Sequence, residues 1–359
     1  MYKHQAKGYL LELVLSKLIE VNGYEIITED TMLHESQTPS ECREIKYQGN
    51  GLNVRGRGGY HQFDSLGTFK ITPPFIYPLR LFVEAKFYAR EKVGIDKVRM
   101  GVGILEDINT NYSTVGLAGE QLAVTRYHYN YSIFSTTGFT EDAQRYAIAH
   151  KIQLIDLSGV EYNTIIKLID SLVESIPVAV SENNREYLDI KFDKFKESFR
   201  KVLFEDNSYT VANLSELYGR EVVVKVENLK NVINGKFLYL ASTNSAHIIP
   251  LLVTEDFNEL LRHNPHQKIA IKWNRSQPNI WIIVPEGNTD IRITFKLPKL
   301  LDKYMREEGR LEHNSRNIKE NIIKKMAFIA YLDIERPTLC TLTYDQILTD
   351  EIILEEVND

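Results

Sequence analysis

Residues 79–88 read Leu-Arg-Leu-Phe-Val-Glu-Ala-Lys-Phe-Tyr, apolar and aromatic enough for a buried strand yet carrying a carboxylate and an ammonium inside it. Burying either charge is costly unless it finds a partner. Side chains alternate along a strand, so Glu84 and Lys86 share one face while Val83, Ala85 and Phe87 take the other. Another carboxylate, Asp64, ends the run Tyr60-His61-Gln62-Phe63-Asp64, which also reads as a short strand. Alternation places Gln62 on the face of Asp64 and turns His61 away. Two carboxylates and a lysine brought onto one sheet face are the groups that metal-assisted phosphodiester hydrolysis needs.

The chain has 359 residues, 43% of them hydrophobic, which exceeds the size at which a single core usually stops growing. Two domains are therefore expected. A net charge of -6 excludes a generic polycation. Charge is uneven, however. Between residues 51 and 100, Arg55, Arg57, Lys70, Arg80, Lys86, Arg90, Lys92, Lys97 and Arg99 face only Asp64, Glu84, Glu91 and Asp96. That basic excess surrounds the candidate site, where a polyanion would dock. Cys42 and Cys340 lie far apart in no ligand spacing, which argues against a disulfide framework and a thiolate zinc site. No basic-then-apolar leader opens the sequence, and no apolar stretch approaches the ~20 residues of a membrane span. A cytoplasmic protein without a membrane partner is the expectation.

Along the chain, the spacing of Leu11, Val14, Leu15 and Leu18 predicts a helix over 6–22, closed by Gly23. Residues 24–50 read as irregular. Helices are predicted over 98–109, from the Thr140 cap onward, and over 160–175, with a buried strand over 152–157 between the last two. Strand, helix, strand in this order implies a right-handed crossover and partly parallel pairing. Composition turns small and polar after Pro177, so a linker is placed at 177–190 between a first domain of residues 1–176 and a second of 191–359. A helix carrying Phe192, Phe195 and Phe199 opens the second part. Short β-rich runs are then predicted over 222–226, 237–241, 248–253, 269–273, 280–284 and 291–297, with helices between 299 and 332. The second domain is expected to be mostly antiparallel and β-rich, an α+β unit.

Hard cations such as Mg²⁺ take oxygen ligands, commonly one or two carboxylates plus water and phosphate. Asp64 and Glu84 would supply them, with a main-chain carbonyl at Ala85. Lys86 beside them would orient the attacking water or stabilise developing charge. The basic, glycine-rich run Arg55-Gly56-Arg57-Gly58-Gly59 would let the main chain approach a phosphate backbone, which makes Arg55, Arg57, Gly58 and Gly59 the candidate nucleic-acid contacts.

These residues resemble the PD-(D/E)xK nuclease superfamily and, within it, the Mrr-like restriction endonucleases. Asp64 matches the acidic residue at a strand end, and Glu84 and Lys86 match the Glu-x-Lys of the next strand. The family's helix glutamate, in a phrase ending Gly-Tyr, looks like Glu12 upstream of Gly23-Tyr24. The run Tyr60-His61-Gln62-Phe63-Asp64 is similar to the Asp strand of some bacterial members, which brings Gln62 into the implied site. Residues 134–140 with Ala143, followed by 152–156, resemble the closing strand, helix and strand. Phe63 stands where the superfamily's name has Pro, a slot that varies. The likeness spans about the first 175 residues and does not extend to the C-terminal half.

The resemblance implies a restriction-endonuclease-like mixed sheet flanked by helices. It also implies a Mg²⁺-dependent endonuclease acting on DNA in restriction or anti-phage defence, with Mn²⁺ substituting. A dimer or higher homo-oligomer is expected, since two strands must be cut. The second domain would sense, position DNA or assemble, through a partner protein or a small-molecule activator. Two alternatives stay open: a nucleic-acid-binding or regulatory protein on an inactive nuclease-like scaffold, and a nuclease acting on RNA. At residue level, Glu84 and Lys86 are open to reading as a structural ion pair, Asp64 as a turn initiator, and Glu12 as a boundary charge. The tyrosines at 127, 129 and 131 read as core rather than as a base-stacking surface.

Overall fold

Helix α1 (Lys3–Val21) forms because Leu10, Leu11, Val14, Leu15, Leu18 and Ile19 make one apolar stripe, and all six are buried. It ends at Gly23, whose φ is 95° and whose N–H donates to the Glu20 carbonyl at 3.0 Å. The computed structural model describes residues 2–28, 44–48, 51–72, 74–110, 126–159, 162–176, 185–205, 208–234, 238–245, 247–274, 277–307, 310–333 and 336–358. They fall into two compact units, residues 1–234 and 235–359.

In the first unit, β1 (Tyr24–Ile26) follows α1. Next come β2 (Ile45–Gln48), β3 (Gly51–Arg55) and β4 (Tyr60–Gln62), which form a small antiparallel sheet of their own. Strands β5 (Ser65–Phe69) and β6 (Leu79–Lys86), helix α2 (Ile95–Asn109), β7 (His128–Ser135), helix α3 (Glu141–Ala149) and β8 (Gln153–Asp156) complete a five-stranded sheet in the order β1-β5-β6-β7-β8. The sheet is mixed: β1, β5 and β6 run antiparallel, whereas β6, β7 and β8 run parallel. The parallel pairing follows from the helices between those strands, as the strand–helix–strand pattern required. Thr140 caps α3 by accepting from the Ala143 N–H at 3.3 Å.

Register assigns the two faces. Ser65 pairs with Val83, and a 2.9 Å bond between the Ser16 and Ser65 hydroxyls fixes α1 on that face. On the other face Leu66, Phe82, Tyr131 and Ile133 pack with Val98 and Ile108 of α2, Ala143 and Ala147 of α3, and Val54 of the small sheet. Helices therefore cover both faces.

Helix α4 (Asn163–Ser175) follows β8 and packs on α1; of the next helices, α5 (Arg185–Phe204) and α7 (Arg220–Asn234) also pack on α1, α7 packs on α4, and α6 (Ser208–Tyr218) packs on α5 and α7. Two expectations are corrected here. Residues 222–226 are helix, not strand: the β-branched valines suggest a strand, but Val222, Val226, Leu229 and Ile233 are buried at helical spacing, and that period decides. The boundary also moves. Residues 185–234 belong to the first unit, because buried Phe192, Phe195 and Phe199 join the apolar layer against α1, with Tyr9 and Phe192 in edge contact at 6.3 Å. Of the linker placed at 177–190, residues 177–184 lie outside the described residues and the rest is α5.

The second unit contains β9 (Leu238–Thr243), β10 (Ile248–Leu252), helix α8 (Glu255–His263), β11 (His266–Asn274), β12 (Gln277–Pro285), β13 (Ile293–Phe295), helices α9 (Lys299–Met305) and α10 (Leu311–Asn317), a π-turn at Ile318–Ile322, β14 (Lys325–Asp333), β15 (Arg336–Tyr344) and helix α11 (Gln346–Asn358). Its seven-stranded sheet runs β10-β9-β14-β15-β11-β12-β13, antiparallel except where β11 meets β15. The end strands β10 and β13 are in contact, so the sheet curls almost into a barrel around Trp281, Phe295, Phe328 and Leu342. The helices predicted to reach residue 332 stop earlier. Met326, Phe328, Ala330 and Leu332 alternate into the core, and that period of two makes strand β14. Among the described residues no helix is long and apolar enough to cross a membrane.

Candidate functional site

Asp64 sits where the chain leaves the small sheet and enters the main one. Strand β4 stops at Gln62, Phe63 turns into the core, and β5 starts at Ser65, so Asp64 precedes a strand rather than ending one. Its N–H donates to the Val83 carbonyl at 3.2 Å, and its Oδ2 accepts from the Ala85 N–H at 2.7 Å. The carboxylate thus extends the β5–β6 ladder past the end of β5. Within a strand the N–H and C=O of one residue point to the same edge. The Ala85 carbonyl therefore faces the Asp64 side, beyond the last paired residue of β5.

Glu84 is 8% exposed. Its Oε1 forms an ion pair with Lys86 Nζ, and its Oε2 accepts a short hydrogen bond from the Tyr131 hydroxyl. Tyr131 comes from β7, one register step back, because Phe82 pairs with it and Glu84 pairs with Ile133. Lys86 is half-buried. Burial opposes its charge, but the Glu84 carboxylate beside it, followed by Asp64, more than compensates and raises its pKa. For Asp64, burial and the charge of Glu84 outweigh the Ala85 N–H and Lys86, and its pKa is raised.

Glu12, on α1, joins the same cluster. Burial, then the nearby charge of Asp64, push its carboxyl up to about 8, with Lys86 and Lys196 pulling the other way. Lys196 belongs to α5, whose ammonium lies 4.3 Å from the Tyr9 ring centroid, one turn before Glu12. Glu84 pairs with the Lys86 ammonium, Asp64 acts on that ammonium electrostatically, and Lys86 in turn acts on the Glu12 carboxyl; a negative field of this kind favours a further cation. The donor set fits a hard cation bound by Asp64, Glu84, the Ala85 carbonyl and water. Among the described residues no group of three His, Cys, Asp or Glu side chains is arranged to hold a metal ion.

The structure leaves two groups of predicted residues out of this cluster. Gln62 is exposed in the small sheet, its amide so close to Gly51 that a Cβ there would stand 3.1 Å from Nε2. It shares no face with Asp64, since the chain turns at Phe63 and alternation does not carry across. Arg55, Arg57, Gly58 and Gly59 form a glycine-rich loop, but its N–H groups cradle an anion of the protein itself. The Gly58 N–H donates to Asp107 Oδ1 at 2.8 Å, the Arg57 N–H to the Asp107 carbonyl at 3.0 Å, and His61 Nε2 stands 2.7 Å from Asp107 Oδ2. The bonds from His61 and Gly58 overcome the cost of burial and hold Asp107 below the usual carboxylate range. A Cβ on Gly56 would fall 1.9 Å from Asp107 Oδ2, so Gly56→Ala must displace that carboxylate. The expected cost is about 1–2 kcal/mol in chemical denaturation, the value of the bonds displaced. An unchanged midpoint would show that Asp107 does not anchor the loop.

The local basic excess also shrinks on inspection, because Arg80 is 2% exposed and paired with Glu44 at 2.6 Å. Tyr131 and Lys196 are the groups at the cluster that sequence alone missed. The tyrosine run was legible as core, yet the hydroxyl's partner depends on the β6–β7 register.

No protein-family model matches the chain, and no curated protein matches it. Among solved structures it is similar to the crystal structure of a protein of unknown function, AF1548, at 17% identity and a TM-score of 0.34, over 63% of this chain and 98% of that one.

Proposed function

We propose that the chain is a Mg²⁺-dependent endonuclease acting on DNA, built on a restriction-endonuclease-like sheet and serving restriction or anti-phage defence. One observation carries the reading: Asp64 is bonded to the main chain of Ala85 while Glu84 and Lys86 are paired on either side of it. The helix–sheet layering and the order β1-β5-β6-β7-β8 support the same reading. Asp64, Glu84 and the Ala85 carbonyl would hold the cation, which when bound polarises the scissile phosphate and acidifies water. Lys86 keeps its proton beside the carboxylates, so it donates to an attacking water or to charge developing on phosphate. Glu12, protonated below about pH 8, would become a proton acceptor beside them once a bound cation or higher pH ionises it. A homodimer or larger assembly would set two such sites on two strands, with the second unit sensing or positioning.

Supercoiled plasmid incubated with Mg²⁺ or Mn²⁺ is expected to be nicked or linearised, and chelator to stop the reaction. Glu84→Gln and Lys86→Met should each lower the rate by roughly 10²–10³-fold. Cleavage unchanged in both variants would end the assignment. A parallel RNA digest separates the two substrates. A second reading is a nucleic-acid-binding scaffold without turnover. Salt-dependent DNA retention with no cleavage would select it.

A further inference from the structure

The two donors on Glu84 differ in a way that bears on the order of events at the site. Lys86 is the last residue of β6, half-buried, on a flexible stem. Tyr131 is 1% exposed and its ring is fixed on two sides. Phe82 stacks on it with centroids 4.8 Å apart and planes 15° from parallel. On α2, Gly101 approaches so closely that a Cβ would lie 2.8 Å from Tyr131 Cε1. Such a ring has no room to swing, whereas an ammonium on a four-carbon stem moves freely.

Resting on the metal-site reading above, we propose that Tyr131 is a positioning residue that holds Glu84 Oε2, and that Lys86 is a placeholder on Oε1, released when a divalent cation takes that oxygen. The hydroxyl bond removes one carboxylate oxygen from competition and fixes the carboxylate plane, so Glu84 binds the cation through Oε1 alone. The ammonium then leaves one carboxylate and is free to meet water or phosphate. This assigns Lys86 two successive partners, both within reach of the one face that strand alternation gives it and Glu84.

The two donors then have opposite effects on metal affinity, and general damage to the fold cannot produce that pattern. Mn²⁺ binding to the full chain is measured by the paramagnetic resonance signal of the free ion, without substrate. Tyr131→Phe is expected to weaken Mn²⁺ binding roughly 10–100-fold, the usual effect of losing a partner behind a metal ligand. Lys86→Met is expected to tighten it by about tenfold, since a like charge a few ångströms away is gone. Lys86→Met tests the idea independently if Tyr131→Phe fails to fold, because Lys86 is half-buried at a strand end. Wild-type affinity in Tyr131→Phe, or weaker binding in Lys86→Met, would overturn the proposal while leaving the nuclease reading intact. A wild-type protein that binds no Mn²⁺ overturns both. Binding as expected with no cleavage of DNA or RNA sustains this inference and sinks only the nuclease reading.

Discussion

Arg80→Ala is expected to lower folding stability by about 3–5 kcal/mol, the loss typical of breaking one side of a buried ion pair. Arg80 is 2% exposed in the middle of the sheet. Its Nη1 donates to Glu44 Oε2 at 2.6 Å and to the Tyr129 hydroxyl at 3.1 Å, and its Nε donates to Thr68 Oγ1 at 3.2 Å. The guanidinium also lies 3.4 Å from the Tyr127 ring centroid. The Tyr129 hydroxyl closes the ring by donating to Glu44 Oε1 at 2.6 Å. Burial pulls the Arg80 pKa down, but Tyr129 and Glu44 more than restore it, so the charge is permanent. Removing the guanidinium takes the Arg80 ion pair from Glu44, whose carboxylate stays largely buried. Because Glu44 immediately precedes β2, one tie between the small sheet and β6 is lost. Arg80→Met combined with Glu44→Gln should recover much of the loss, since the cost lies in the stranded charge rather than in missing contacts. Urea denaturation of the wild type, Arg80→Met, Glu44→Gln and the double variant makes a double-mutant cycle. A single-variant loss below about 1 kcal/mol would mean that the pair is effectively solvated.

Arg80 also shows where the sequence stops being readable. By alternation it lies on the face of Glu84 and Lys86, four and six residues on, so its orientation was legible from a period of two. Its partner was not. Glu44 lies in a stretch that reads as irregular, and only tertiary pairing across 36 residues brings the two together. The same distinction divides the site. Glu84 and Lys86 share a face because strand geometry demands it, and Asp64 was identifiable as a residue. Its strand was misassigned, because Phe63 breaks the alternation that seemed to link Gln62 with Asp64. The glycine-rich loop had the chemistry of an anion cradle, and it holds an anion. The sequence carries no sign that the anion is Asp107, 49 residues downstream of Gly58. Helix α7 failed for another reason: consecutive valines have strand propensity, and propensity yields to burial at helical spacing.

The second large effect is a pH dependence set by Glu12. Its carboxyl titrates at about 8 in the folded chain against an ordinary value near 4.5, chiefly because it is buried and then because Asp64 is close. The folded state therefore keeps this proton between pH 4.5 and 8, while the unfolded chain releases it. Stability from this group is fully present below 4.5 and is lost as pH rises through 8. Asp64, also raised by burial, acts in the same direction. Lys86 is raised as well, but a base with a raised pKa loses its contribution only above the alkaline end of this window. For Glu12 alone the span corresponds to at most about 5 kcal/mol. Glu12→Gln is thus expected to match the wild type near pH 4 and to melt at a higher temperature at pH 8.5 without divalent cations. Adding Mg²⁺ at pH 8.5 should raise the wild-type Tm and narrow the gap, since a cation between the carboxylates offsets the repulsion that kept Glu12 protonated. Thermal melts of both proteins at the two pH values, with and without Mg²⁺, decide the matter. Parallel pH profiles for wild type and Glu12→Gln would show that Glu12 is solvated and ionised like any surface carboxylate, and the cluster would lose its third acid.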